Sequence, residues 1–147
     1  ILQEKNKMFG PVSFMLNDES KDIAIVDWNA VKKAINADPL ILYFNTGQTS
    51  IDLSESDRKK VTEITRYLDN VADSKLDVVG HTDNVGDRNI NIKLGKERAD
   101  FAKEYLVTNG VSVERIISSS KGPDQPIAPN NTADGKAKNR RTEVKIN

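Results

Sequence analysis

Arg98 and Asp83 are the residues of this chain whose type and spacing most invite chemistry. Leu94, Phe101, Ala102 and Tyr105 recur as the apolar stripe of a helix, and Arg98 lies four residues from both Leu94 and Ala102. Residues four apart share a helical face, so a guanidinium falls on or beside the surface meant for the core. Such an arginine either packs its stem and lets its head reach water, or is held as a planar fork that grips a carboxylate. Asp83 ends the segment Gly80-His81-Thr82-Asp83, at the mouth of a strand and in the loop that feeds the same helix. Ligand groups in α/β folds gather beyond the carboxyl ends of strands. The plainer role for Asp83 is an Asx-type turn that satisfies nearby backbone N–H groups. Together the two residues offer an anion and a cation to one cleft. They form a simple salt bridge, or, with a ligand between them, a receptor in which Asp83 takes an ammonium and Arg98 a carboxylate.

Other chemistries find less support. His81 is the only histidine, and no metal-ligand spacing surrounds it, so it is expected to orient the loop backbone and no metal is expected. Asp83 and Asp87 resemble a glycosidase carboxylate pair only in number, since two acids in a polar loop are ordinarily solvated. Ser118-Ser119-Ser120 lacks the strand–turn–helix elbow of a hydrolase nucleophile. Gly80 to Gly86 lacks the glycine spacing and Lys-Ser/Thr ending of a phosphate cradle. With no cysteine there is neither a disulfide nor a thiol nucleophile. The expectation is a binding module, not an enzyme, that needs no cofactor.

The elements that must position Asp83 and Arg98 are legible from residue 40 onward. Leu40 to Phe44 reads as a strand, followed by a turn at Asn45-Thr46-Gly47. Ser54 with Asp57 is close to a capping box, and Val61, Ile64, Leu68 and Val71 then recur at helical spacing. Leu76 to Val79 reads as a second strand and Asn89 to Thr108 as a second helix, stopped by Asn109-Gly110. Ile116 and Ile117 mark a third strand, Pro123 to Gly135 a polar loop, and Arg141 to Ile146 a closing strand. This order, βαβαββ, predicts an α/β (α+β) sandwich: a mixed sheet with parallel neighbours and the helices on one face. Residues 1–38 form an N-terminal extension or linker, with an apolar run at Ile23 to Val26 that suits a buried strand. Asp27 is placed to cap a helix through Trp28, Val31, Ala34 and Ile35 that ends before Pro39.

A chain of 147 residues with 22 basic and 22 acidic side chains has zero formal net charge. No global field draws it to a polyanion, and aromatics at 5% are too few for a stacking platform, so nucleic acid is not an expected partner. No apolar run approaches the ~18 residues of a membrane span, and the sequence as it starts at Ile1 shows no charged-then-apolar signal segment. The sequence reads as a mature or excised fragment, with any membrane contact made through parts outside it.

Gly80-His81-Thr82-Asp83, Gly86, Asn91, Leu94-Gly95 and Arg98-Ala99 resemble the peptidoglycan-binding signature of OmpA-like C-terminal domains, including the peptidoglycan-associated lipoproteins. Asn139 to Val144 is similar to that family's closing strand, and Tyr43-Phe44 followed by Ser54 to its opening. The resemblance covers residues 40 to 147, with a binding domain over 39–147. It implies that Asp83 binds the ammonium of a diaminopimelate side chain and Arg98 the carboxylate on the same carbon, with Thr82, Asn91 and Arg141 accompanying them. It implies non-covalent anchoring of an outer-membrane protein or lipoprotein to the wall, on the periplasmic side of the outer membrane. Gly95 replaces the serine of many members, and Asn45 lies where an acidic residue is usual. The competing expectation is an envelope protein–protein or dimerisation module in which Asp83 and Arg98 are a structural ion pair. Oligomeric state stays open, a homodimer included.

Overall fold

The computed structural model describes residues 25–147. Its elements run α1 (Trp28–Ala37), β1 (Leu40–Tyr43), α2 (Glu55–Asn70), β2 (Leu76–His81), α3 (Arg88–Thr108), β3 (Ile116–Gly122), α4 (Ala133–Asn139) and β4 (Arg141–Ile146), with one 3-10 turn at Val113–Arg115. Each helix begins where a short oxygen-bearing side chain meets its free N–H groups. Asp27 accepts from the Ala30 N–H at 3.2 Å. Ser54 and Asp57 cap reciprocally at 3.0 and 3.4 Å, so the capping box read from sequence is present. Asp87 accepts from the N–H groups of Asn89 and Ile90 at 2.8 and 3.1 Å. The third helix then stops at Asn109, where Gly110 takes φ 102°.

The sheet has the order β1-β4-β2-β3, with β4 antiparallel to both its neighbours and β2 parallel to β3. The mixed sheet is as expected, but β1 and β2 are not neighbours. The closing strand inserts between them, which local periodicity cannot announce because its pairings, such as Leu40 with Val144 and Leu76 with Ile146, join residues far apart in sequence. Leu40, Leu42, Leu76, Val78, Val144 and Ile146 alternate onto one buried face against Val61, Ile64, Leu68, Ala99, Ala102 and Leu106. The opposite face carries Tyr43, Ile117 and Lys145 in the open.

Two further expectations change. The polar stretch Pro123–Gly135 runs into the short helix α4, begun by Thr132, which accepts from the Gly135 N–H at 3.0 Å. A Cβ on Gly135 would sit 1.7 Å from the Pro129 carbonyl oxygen, so the glycine lets the loop fold back on the helix. Of the expected Ile23–Val26 strand, Ile23 and Ala24 lie outside the described residues, while Ile25 and Val26 have no regular structure and Ile25 is exposed. The first helix packs on the sheet: Ile35 joins the core, and the Asn36 amide exchanges two 2.8 Å bonds with the backbone of Ile146.

One contact brings the parts of the site together. The third helix lies against β2 so closely that a Cβ on Gly80 would stand 1.7 Å from the Gly95 carbonyl oxygen. Two glycines facing each other let α3 settle onto the strand end, setting Arg98 beside the His81–Asp83 segment.

Candidate functional site

Arg98 is fully buried, and each of its three nitrogens donates to a backbone carbonyl. Nε bonds Gln48 O at 2.8 Å, Nη1 bonds His81 O at 3.2 Å and Nη2 bonds Asn45 O at 3.1 Å. Its guanidinium carbon lies 5.3 Å from the ring centroid of Phe44, a cation–π contact from below. Burial lowers its pKa to about 10, helped by the Arg140 charge and opposed by Asp83, so it stays protonated at neutral pH. Arg98 therefore does not snorkel. It ties the β1–α2 loop to the end of β2, and three of its five N–H groups are used in doing so.

Asp83 sits just past β2 and is nearly buried. Its Oδ1 accepts from the Val85 N–H at 3.0 Å, the Asx-type turn considered for it, and its Oδ2 pairs with Arg140 Nη1 at 3.2 Å. Arg140 is anchored in turn by an Nε bond to Phe44 O at 2.9 Å. The partner of Asp83 is thus Arg140 and not Arg98. The result is one carboxylate beside two guanidiniums, a net positive cluster at the carboxyl end of β2.

The accompanying residues divide. Thr82 is buried and donates through Oγ1 to Asp83 O at 2.7 Å, and its N–H bonds Gly122 O at 2.9 Å. Asn91 donates through Nδ2 to Val85 O at 2.9 Å, bracing the loop that bears Asp83 from the first turns of α3. Arg141 lies apart from this cluster in its bonding. It pairs with Glu143 Oε2 at 2.6 Å and donates to Asn139 O and Gln125 O at 3.3 and 3.1 Å. The His81 main-chain carbonyl receives Arg98 Nη1, while its buried imidazole makes no bond among the described residues that would orient the loop. Asp87 is committed to capping α3 and stands in no pair with Asp83.

Sequence reasoning passed over Arg140 and Asn139. A signal existed for the first. Arg141 and Glu143 are two apart on a strand, hence on one face and able to pair, whereas Arg140 precedes the strand and is free to turn toward Asp83. Asn139 is wholly buried: its Oδ1 accepts from Ile127 and Ala128 N–H, and its Nδ2 donates to Ala128 O and Asn130 Oδ1. It stitches the 127–130 loop to the residue before Arg140. Nothing local to Asn139 reveals that loop as its partner.

An α/β sandwich with a mixed four-stranded sheet, carrying an acid–base cluster on the loops at one end, is the architecture of the OmpA-like class. The chain belongs to the OmpA family, whose model matches residues 43–140. It is 36% identical over 98 residues to the probable lipoprotein YiaD of Escherichia coli, covering 67% of this chain and 45% of YiaD. It is 36% identical over 101 residues to the peptidoglycan-binding protein ArfA of Mycobacterium tuberculosis, covering 69% of this chain and 31% of ArfA. The chain thus spans less than half the length of either relative. Among solved structures, the peptidoglycan-associated lipoprotein of Burkholderia pseudomallei superposes with a TM-score of 0.67 at 23% identity, covering 74% of this chain and 91% of that one. The C-terminal domain of Helicobacter pylori MotB gives 0.59 at 24% identity, covering 73% and 83%. At these identities the two structures speak for the fold alone.

Proposed function

We propose that this chain binds peptidoglycan non-covalently and anchors an envelope component to the wall on the periplasmic side of the outer membrane. The ligand group is the diaminopimelate end of a stem peptide, with Asp83 taking its ammonium and Arg98 its carboxylate. The observation that carries this reading is the cluster of Asp83 with two guanidiniums at the carboxyl end of β2. One anion among two cations leaves positive charge for a carboxylate, and two N–H groups of Arg98 have no partner among the described residues. Thr82 and Asn91 hold the Asp83 loop, and Arg141 is assigned to bracing the cleft wall. Relatives named for peptidoglycan binding or association support the partner class. The chain acts on no bond of the wall in this reading, and needs no cofactor.

Arg98 is enclosed beneath the exposed Asn45–Gln48 loop, which it holds through the Asn45 and Gln48 carbonyls. Each charge-assisted bond is worth roughly 1.5–3 kcal/mol before ordering and association costs. A single stem peptide should then bind in the order of micromolar to millimolar, and the polymer gains by effective concentration.

The test is co-sedimentation with purified, protein-free sacculi. Asp83→Asn is the informative variant, because it removes the charge while keeping the Asx turn. Arg98→Lys serves as its counterpart, with thermal melting run on both because Arg98 also holds two loops. Loss of pelleting in a folded Asp83→Asn protein is the expected result. The Asp83–Arg140 ion pair favours a second reading, an envelope protein–protein module in which these charges are structural. Undiminished pelleting by Asp83→Asn, or no pelleting of the unsubstituted chain, would sink the wall-binding site and turn the search to a protein partner.

A further inference from the structure

The two outer edges of the sheet are built differently. β1 is four residues long and follows Pro39, so that edge is short and blunted. β3 is the longest strand at seven residues, with no proline and no charge before Lys121. Among the described residues, no backbone bond reaches the outer side of Ile117–Ser120. Ile117, on the uncovered face of the sheet, is 46% exposed. Above the same edge an open hollow of about 530 Å³ runs along α3, lined by Lys96, Asp100, Lys103 and Val107 and by Val113 of the 3-10 turn. Over Ile117–Ser120 this edge presents unpaired N–H and C=O groups, a template on which another strand can pair.

We propose that the partner is a second copy of this chain, with β3 pairing antiparallel to its own image about a twofold axis at Ile117. Charge and shape select this occupant. The third helix and β3 run in opposite directions, and contacts fix their levels. Ile92 stands at Gly122, Gly95 at Ser120, and Asp100 at Ser118, whose hydroxyl donates to Asp100 Oδ1 at 3.0 Å. One strand residue onward from Ser118 is ~3.3 Å, which is about two helical residues at ~1.5 Å each. The axis at Ile117 therefore crosses α3 between Asp100 and Lys103. It sets Asp100, which also pairs with Lys96 of its own helix at 2.8 Å, against the partner's Lys103, and Lys103 against the partner's Asp100, while on the open face Ile117 meets its own image. Spacing agrees as well. The helix packs over both β2 and β3. With strands ~4.8 Å apart, the two copies of α3 would lie about 10 Å from each other, a normal helix–helix distance. Val107 and Val113, both exposed in the single chain, fall at the ends of that helix pair. None of this depends on what the Asp83 cluster binds.

Sedimentation equilibrium from about 10 µM to about 1 mM tests the pairing, a range that suits a modest interface. The full chain should dimerise, and Ile117→Lys should weaken the dimer at least tenfold with an unchanged circular dichroism spectrum. Asp100→Lys should weaken it too, and the charge swap Asp100→Lys with Lys103→Asp should restore it, since the swapped pair remains complementary across the axis. A monomer throughout the range would overturn the proposal. So would a dimer indifferent to Ile117→Lys, or one that the charge swap fails to rescue. A monomer whose Ile117–Ser119 amides exchange slowly would instead place another part of the chain, such as residues 1–24, on this edge.

Discussion

At the scale of single residues, His81 shows what position in the sheet does to a side chain. It closes β2, is buried, and has no partner for its Nδ1 among the described residues. Burial, with the Arg141 and Lys121 charges and against the pull of Glu143, lowers its pKa from 6.5 to about 4. The native imidazole is then neutral at pH 7. In the unfolded chain it takes a proton near pH 6.5, so between 6.5 and 4 the unfolded state binds more protons. Stability present above pH 6.5 is therefore lost as pH falls, and the loss is complete below about pH 4. A shift of this size corresponds to about 3 kcal/mol at most. Urea unfolding at pH 7 and pH 4.5 should expose the slope, and His81→Asn should flatten it over that window. An equal slope in the variant would mean that carboxylates alone drive the acid response. The same scale explains why the guanidiniums were unevenly legible. Arg98 announces itself by breaking an apolar stripe. Arg140 and Arg141 stand side by side, and only the strand alternation that pairs Arg141 with Glu143 tells them apart.

At the scale of elements, backbone contacts place the site as much as side chains do. Gly80 and Gly95 let α3 close on the end of β2, and the obstacle to a Cβ at Gly80 is a backbone carbonyl that cannot rotate away. Gly80→Ala should destabilise the domain by about 3 kcal/mol, the upper range for overpacking, and disturb Arg98 with it. Gly95→Ser meets chiefly the Ser120 hydroxyl, a side chain able to move, and should cost far less. Comparing the two melting curves checks the contact, and similar losses would refute it. Arg115 works at the same level, donating to the carbonyls of Leu68, Val71 and Ser74 and so closing the end of α2 from the other side of the fold. Helices here were readable because cap and stripe are local: Ser54 with Asp57, and Asn109 with Gly110. The short helix α4 was not, because Ala-Asp-Gly-Lys-Ala-Lys-Asn has no apolar stripe and is held by its cap, Gly135 and the Asn139 network.

At the scale of the whole molecule, the chain's last strand is one of the sheet's two central ones. β4 lies between β1 and β2, pairs antiparallel with both, and buries Val144 and Ile146 in the core. Without it β1 has no hydrogen-bonding neighbour in the sheet, and β2 keeps only β3. The first crossover, β1–α2–β2, therefore joins strands that cannot pair with each other, and its two ends are reconciled only by residues 141–147. Arg140 reaches Asp83 from the start of that same strand, so the cluster and the sheet are completed together. Such long-range closure carries a loop-entropy cost that no local element offsets beforehand. A chain ending at Arg140 should accordingly fail to fold as a unit: amide dispersion in a proton–nitrogen spectrum should collapse, with loss of cooperative urea unfolding. Adding a peptide of residues 141–147 should restore dispersion in proportion to its concentration, because the missing strand would be supplied in trans. A truncated chain that kept a cooperative transition would instead show that α1, α2 and α3 hold β1 and β2 in place without the strand between them.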